Sequence, residues 1–207
     1  TSPCAVQPGA VTARHWGARR WLAALDSPVV PVLVCSVTVA TCFTVGALRY
    51  LTYHAWAYDL GYFTQVVDRT AAGHPFQTTF APYSFLGQHW EPILLVPALA
   101  TRLVDTPLLL LAVQAAGLGL APVAAWRLAR VWVGGRVAPA AASCATALSP
   151  LLASAAAYDF HTEAMTPVLA LFALDAGARG RHRTFLLLVG ALFLVKEDAM
   201  LVAAGVG

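Results

Sequence analysis

From Pro28 to Leu48 the chain runs for 21 residues without a charged side chain. At about 1.5 Å of rise per residue, that length crosses a hydrocarbon core of about 30 Å as a helix. Further apolar stretches occupy 107–127, 137–157, about 162–178 and about 184–195, and another begins at Ala199. With 59% hydrophobic and 11% charged residues and a mean hydropathy of +0.68, the chain lies outside the range of soluble domains. The expected fold is an all-α polytopic transmembrane helix bundle of about five spans plus a truncated sixth. Ala199 to Gly207 is nine residues, short of the ~20 a crossing needs, so the chain reads as the N-terminal part of a longer domain. A secretory signal peptide is the competing reading of the first span, since Arg14, Arg19 and Arg20 precede it. Its apolar run exceeds the usual h-region of about 7 to 15 residues and no clear small-x-small site follows, which favours an anchor.

Basic residues mark cytoplasmic connections. With the N-terminus inside, nine of the thirteen cations face the cytoplasm: Arg14, Arg19, Arg20, Arg127, Arg130, Arg136, Arg179, Arg181 and Arg183. Residues 1–27, rich in Pro, Gly, Ala and Arg, then form a cytoplasmic tail, and 28–207 the transmembrane domain with an extracytoplasmic loop at 49–106. This topology requires residues 92–104 to lie along the outer surface, because thirteen positions with Pro97 among them are too few to span. The net charge of +3 reflects topology and implies no nucleic acid; the partner is the lipid bilayer. Cys35, Cys42 and Cys144 fall inside spans and Cys4 in the tail, so no disulfide framework is implied.

The remaining polar residues collect on one side. Asp59, Asp68, Glu91, Asp105, Asp159, Glu163, Glu197 and Asp198 all fall at the outer face, as do His54, His74, His89 and His161. Lys196, only about 18 Å of helix beyond Thr184, is expected below the outer lipid surface. Ionisable groups at such depth face a bundle interior or a wet cavity, so a polar cavity open to the outside is expected.

Tyr58-Asp59-Leu60-Gly61-Tyr62-Phe63, Gly73-His74-Pro75-Phe76, Leu86-Gly87-Gln88-His89-Trp90-Glu91-Pro92, Asp159-Phe160-His161 and Lys196-Glu197-Asp198 together resemble the DUF2079 family of predicted bacterial membrane proteins, over about residues 45–207. That family is similar in layout to the GT-C membrane glycosyltransferases, an architectural analogy. The resemblance implies a bacterial cell membrane and transfer of a sugar from a polyprenyl-phosphate carrier. It makes Asp59, in the first outer loop, the catalytic carboxylate, either as general base on an acceptor hydroxyl or as a metal ligand. Tyr58 and Leu60 flank it where the commoner motifs carry a second acid. Lys196 is expected to pair with a lipid phosphate, with Glu197 and Asp198 holding it, and His89, Glu91, Asp159 and His161 complete the substrate-binding set.

His-x-Glu occurs twice, as His89-Trp90-Glu91 and His161-Thr162-Glu163, a donor set of the kind that takes Zn²⁺ or Mn²⁺. The acids Asp59, Glu91 and Glu163 form the corresponding oxygen-rich set for a divalent cation, Mg²⁺ or Mn²⁺. Structural roles compete throughout. Asp59 is also placed to cap an interfacial helix at Leu60–Thr70, His74 before Pro75 reads as a turn residue, and Lys196 with its acids as a neutralised cluster in the bundle. Tyr53, Trp56, Tyr62 and Trp90 read most simply as interfacial aromatics. Besides a transferase, the pattern suits a transporter or channel subunit with a polar outer cavity, or a non-catalytic envelope-assembly protein.

Overall fold

The computed structural model describes residues 25–206, so nearly all of the expected cytoplasmic tail lies outside the described residues. Among them the regular elements are all helical. α1 (Val29–Leu51) and α4 (Thr106–Trp132) are the two long apolar rods. Between them the loop folds into a π-helical turn (Ala57–Gly61), α2 (Tyr62–Ala71), 3-10 turns at Phe85–Gly87 and Pro92–Leu94, and a single turn α3 (Leu95–Ala98). α5 (Val137–Ala147) and α6 (Pro150–Ala157) follow, then a 3-10 turn at Thr162–Met165, α7 (Thr166–Ala178), α8 (His182–Val195) and α9 (Ala199–Val206).

Three segments are long and apolar enough to cross a membrane: Val29–Leu51, Thr106–Trp132 and Val137–Ala157. The third is a span broken at its middle. Pro150 has no N–H and forces the preceding residue out of the helical region; Ser149 accordingly sits at ψ 130° between the two pieces. The stretches expected at 162–178 and 184–195 give α7 and α8, of 13 and 14 residues, each about 20 Å long. They fall short of full spans because residues 162–165 are spent in a 3-10 turn and extended backbone at Lys196 stops α8. Residues 92–104 form short turns and no crossing helix, with Pro97 buried and Leu99 and Leu103 exposed.

α1 and α4 run antiparallel along a seam opened by glycine. A Cβ on Gly119 would stand 3.2 Å from the Cys35 carbonyl oxygen, and one on Gly46 would stand 3.0 Å from Leu111. Close backbone approach through small residues is how helices gain contact in lipid, where the hydrophobic effect gives them none. At the end of the bundle away from the loop, α4 and α7 are tied by charge. Arg127 donates to Asp175 through Nε (2.9 Å) and a terminal nitrogen (2.7 Å), and Arg179 donates to its other oxygen at 2.7 Å.

α1 and α2 both end on left-handed residues, which lets the last carbonyls be satisfied. Gly73 (φ 88°) closes α2, with amides of Gly73 and His74 bonding the carbonyls of Thr70 and Arg69. His74 is thus the turn residue expected. Tyr53 (φ 61°) closes α1 the same way, with amides of Tyr53 and His54 on Tyr50 and Arg49.

Gly119→Leu is expected to push α1 from α4 and destabilise the protein by about 1–3 kcal/mol, as overpacking does. Gly190→Ala meets nothing within 4 Å and serves as control. Thermal midpoints of the purified variants in detergent read the difference; equal midpoints would refute the seam.

Candidate functional site

The loop begins by being fastened to the bundle. Asp159, on the connection between α6 and α7, has a side chain only 3% exposed. One of its oxygens accepts the Trp56 amide at 2.6 Å and the other faces the Arg49 guanidinium at 3.4 Å. Arg49 also donates to the His54 carbonyl at 2.9 Å. Both Asp159 oxygens are thereby engaged by the protein's own groups, so this residue positions the loop. Phe160, beside it, is buried with Phe63 of α2 (centroids 5.2 Å, nearly perpendicular), in a cluster that continues to Phe85. The loop is a folded layer with its own core.

That fastening brings Asp59 to His161. Asp59 lies on the π-helical turn, a geometry often found at functional sites, and caps no helix: α2 begins after it, with no side-chain cap. The expected capping role fails because the wide turn carries the carboxylate towards His161 instead. Its Oδ1 stands 3.6 Å from His161 Nε2. His161 is fixed from behind by its amide, which donates to Gln114 on α4 at 2.7 Å, and by Nδ1, 3.1 Å from the Asp159 carbonyl oxygen. A carbonyl only accepts, so Nδ1 carries a hydrogen. Nε2 then offers Asp59 either a lone pair, which repels it, or a second N–H. At 3.6 Å the two groups face each other but are too far apart for a direct hydrogen bond.

A second cluster gathers the other predicted residues where the loop meets the α8–α9 junction. Glu197 accepts the Trp90 amide at 2.9 Å and pairs with His89 Nδ1 at 3.1 Å, while the Trp90 indole donates to the Phe193 carbonyl at 2.9 Å. Against the upward push of burial, the bonds from His89 and from backbone amides hold the Glu197 carboxyl at about 2. Lys196 is in direct contact with Glu163 and lies 3.8 Å from Glu91. Glu91 is 1% exposed and neither of its oxygens has a hydrogen-bond partner. Burial pushes its carboxyl up to about 7, against the Thr162 hydroxyl and the Lys196 ammonium and with the charges of Glu163 and Glu197. Asp198 is exposed just before α9 and acts on Lys196 by its charge, without a hydrogen bond to the cluster.

A cavity of about 570 Å³ opens between α4, the α5–α6 span and α7. Leu118, Leu152, Pro167 and Leu171 make its walls apolar, and Gln114, Tyr158, Asp159, His161 and Glu163 make one end polar. A second groove of about 410 Å³ is lined by Tyr50, Tyr53, Trp56 and by Ala57, Leu60 and Gly61 of the turn that carries Asp59.

The predicted residues thus separate into two groups. Asp59, Asp159 and His161 meet at one place; His89, Glu91, Glu163, Lys196 and Glu197 meet at another. The acids expected to share a divalent cation do not form one donor set. Among the described residues no three His, Cys, Asp or Glu side chains are gathered as ligands, and the cation between Glu91 and Glu163 is the Lys196 ammonium. Lys196 itself is turned to these acids and does not line the cavity. Sequence reasoning missed Arg49 and Gln114, which set the positions of Asp159 and His161. Gln114 carries a readable signal, being the one amide side chain in the apolar run 107–127.

The model of one family, described as a predicted membrane protein (DUF2079), matches residues 49–207, and the chain belongs to that family. No curated protein and no solved structure matches it.

Removing one partner of a buried ion pair leaves an uncompensated charge. Arg49→Ala is therefore expected to free the loop from Asp159 and to raise the rate of proteolytic cleavage within residues 52–60 several-fold, while Asp198→Asn leaves it unchanged. Equal cleavage in both variants would remove the fastening role of Asp159.

Proposed function

We propose that this member of the DUF2079 family carries the reaction centre of a GT-C-type membrane glycosyltransferase, moving a sugar from a polyprenyl-phosphate carrier to an envelope acceptor at the extracytoplasmic face. The observation that carries the reading is the Asp59 carboxylate set against His161, which lines one polar end of a cavity that is apolar along its walls. Such a cavity suits a chain-like lipid whose head group ends beside His161. The aromatic groove lined by the turn that carries Asp59 suits the approach of a sugar ring, which stacks on exposed Tyr53 and Trp56.

In this reading the acceptor O–H lies between the two side chains. Asp59 takes its proton as the acceptor oxygen attacks the anomeric carbon. The bond from that carbon to the phosphate oxygen breaks, and the electron pair leaves with the phosphate. His161 as imidazolium supplies the positive charge facing the leaving group. Asp159 and Gln114 hold His161, and Arg49 holds Asp159. No step is assigned to a divalent cation, because the expected oxygen donors do not converge.

A second reading, a transporter or channel subunit, draws on the buried Glu91 and Lys196, since such groups also mark solute and proton pathways. Altered envelope glycolipid after gene deletion favours the transferase; altered solute uptake with intact glycolipid favours the transporter.

Two outcomes are expected. Asp59→Asn, reconstituted with polyprenyl-phosphate-linked sugar and acceptor, loses transfer by about 100-fold or more with its thermal midpoint unchanged; an undiminished rate would take Asp59 out of the chemistry. In a Cys-free background, cysteine at Ser84 reacts with a membrane-impermeant thiol reagent in intact cells and cysteine at Arg181 does not. The reverse pattern would put the site in the cytoplasm and sink the carrier-lipid reading.

A further inference from the structure

Glu91 is the one carboxylate among the described residues with both oxygens buried and without a hydrogen-bond partner. It roots the segment 89–91, which is seated on the α8–α9 junction by the Trp90 amide on Glu197 and the Trp90 indole on the Phe193 carbonyl. The ionisable groups around it come from two other elements. From the α8–α9 junction come Lys196, 3.8 Å away, and Glu197; from the turn before α7 comes Glu163. His89 stands behind Glu197, while His161 acts on Glu163 and Asp198 on Lys196. One ammonium therefore serves two carboxylates, and Glu163 holds it by direct contact. An ionised carboxylate in the place that remains is cut off from water, with only the nearby Thr162 hydroxyl and a shared ammonium to answer it, a costly state that a protein escapes by keeping the group neutral.

We propose that Glu91 is a proton-binding site, a neutral carboxylic acid while residues 89–91 are seated on the α8–α9 junction, whose loss of the proton unseats that segment. Ionisation adds a third negative charge beside Glu163 and Glu197, where the Lys196 ammonium is already held by Glu163. Opening the segment admits water to the carboxylate and relieves the repulsion. The sign follows from the raised pKa. The seated form is fully favoured below the ordinary carboxyl value of 4.5 and loses ground as pH rises to about 7, by up to about tenfold in the seated-to-open ratio per pH unit. This site stands apart from the Asp59 chemistry and holds whichever reaction or pathway the protein serves.

The test uses the full chain in lipid nanodiscs without substrate. Infrared difference spectra between about pH 5.5 and about pH 8.5 are expected to show a protonated carboxylic acid band that disappears with a midpoint near 7 and is missing in Glu91→Gln. Glu163→Gln frees Lys196 to pair with Glu91 and is expected to move that midpoint down by a unit or more, a readout that survives if Glu91→Gln does not fold. Hydrogen exchange in peptides covering residues 86–95, corrected for the intrinsic effect of pH, is expected to accelerate across the same range in the wild type and to stay slow in Glu91→Gln. A band retained in Glu91→Gln, a midpoint unmoved in Glu163→Gln, or exchange that rises equally in wild type and Glu91→Gln would overturn the proposal. None of these readings needs sugar transfer, so they fail or succeed separately from the transferase reading.

Discussion

Everything at the loop end of this molecule depends on the burial of Asp159. A carboxylate that is 3% exposed must be answered on both oxygens, and here the answers come from residues more than a hundred positions earlier, the Trp56 amide and Arg49. The same residue then offers its carbonyl to His161. One side chain and its own backbone thus join the end of α1, the start of the loop and the connection before α7. The distance between Asp59 and His161 is set by that junction, since neither residue is held to the other by a bond.

The parts of the fold that were legible in the sequence are those governed by length and hydropathy. The uncharged run after Pro28 and the long apolar run from 107 gave α1 and α4 to within a few residues at either end. The run from 137 to 157 was legible as one span, while its break at Pro150 was legible only as a proline. The two later runs were harder, because their helices end where polar groups are needed rather than where apolar residues stop: Thr162–Met165 and Lys196 are given to the cluster, and α7 and α8 are shorter for it.

The site was legible as a list and not as a geometry. That Asp59, His89, Glu91, His161 and Lys196 share one end of the bundle follows from the order of spans and loops. Their sorting into two clusters does not, since it is decided by which carboxylate reaches Lys196 first. Glu163 does so from a 3-10 turn, and Glu91 is left 3.8 Å away. The π-helical turn was equally hidden. Nothing in Ala57-Tyr58-Asp59-Leu60-Gly61 marks a wide turn over an ordinary helix start, and that difference aims Asp59 at His161 rather than at the amides of α2.

The proline that splits the third span sits at the wall of the larger cavity, whose lining includes Thr146 and Ser149 beside the joint and Leu151 and Leu152 just beyond it. A straight rod would present one continuous row of side chains to α4 and α7. The two pieces joined at Ser149 break that row beside the cavity, and the break answers to a backbone rule, the missing N–H of Pro150. Side-chain changes along the wall would therefore alter the texture of the cavity, while the break beside it is inherited from the backbone.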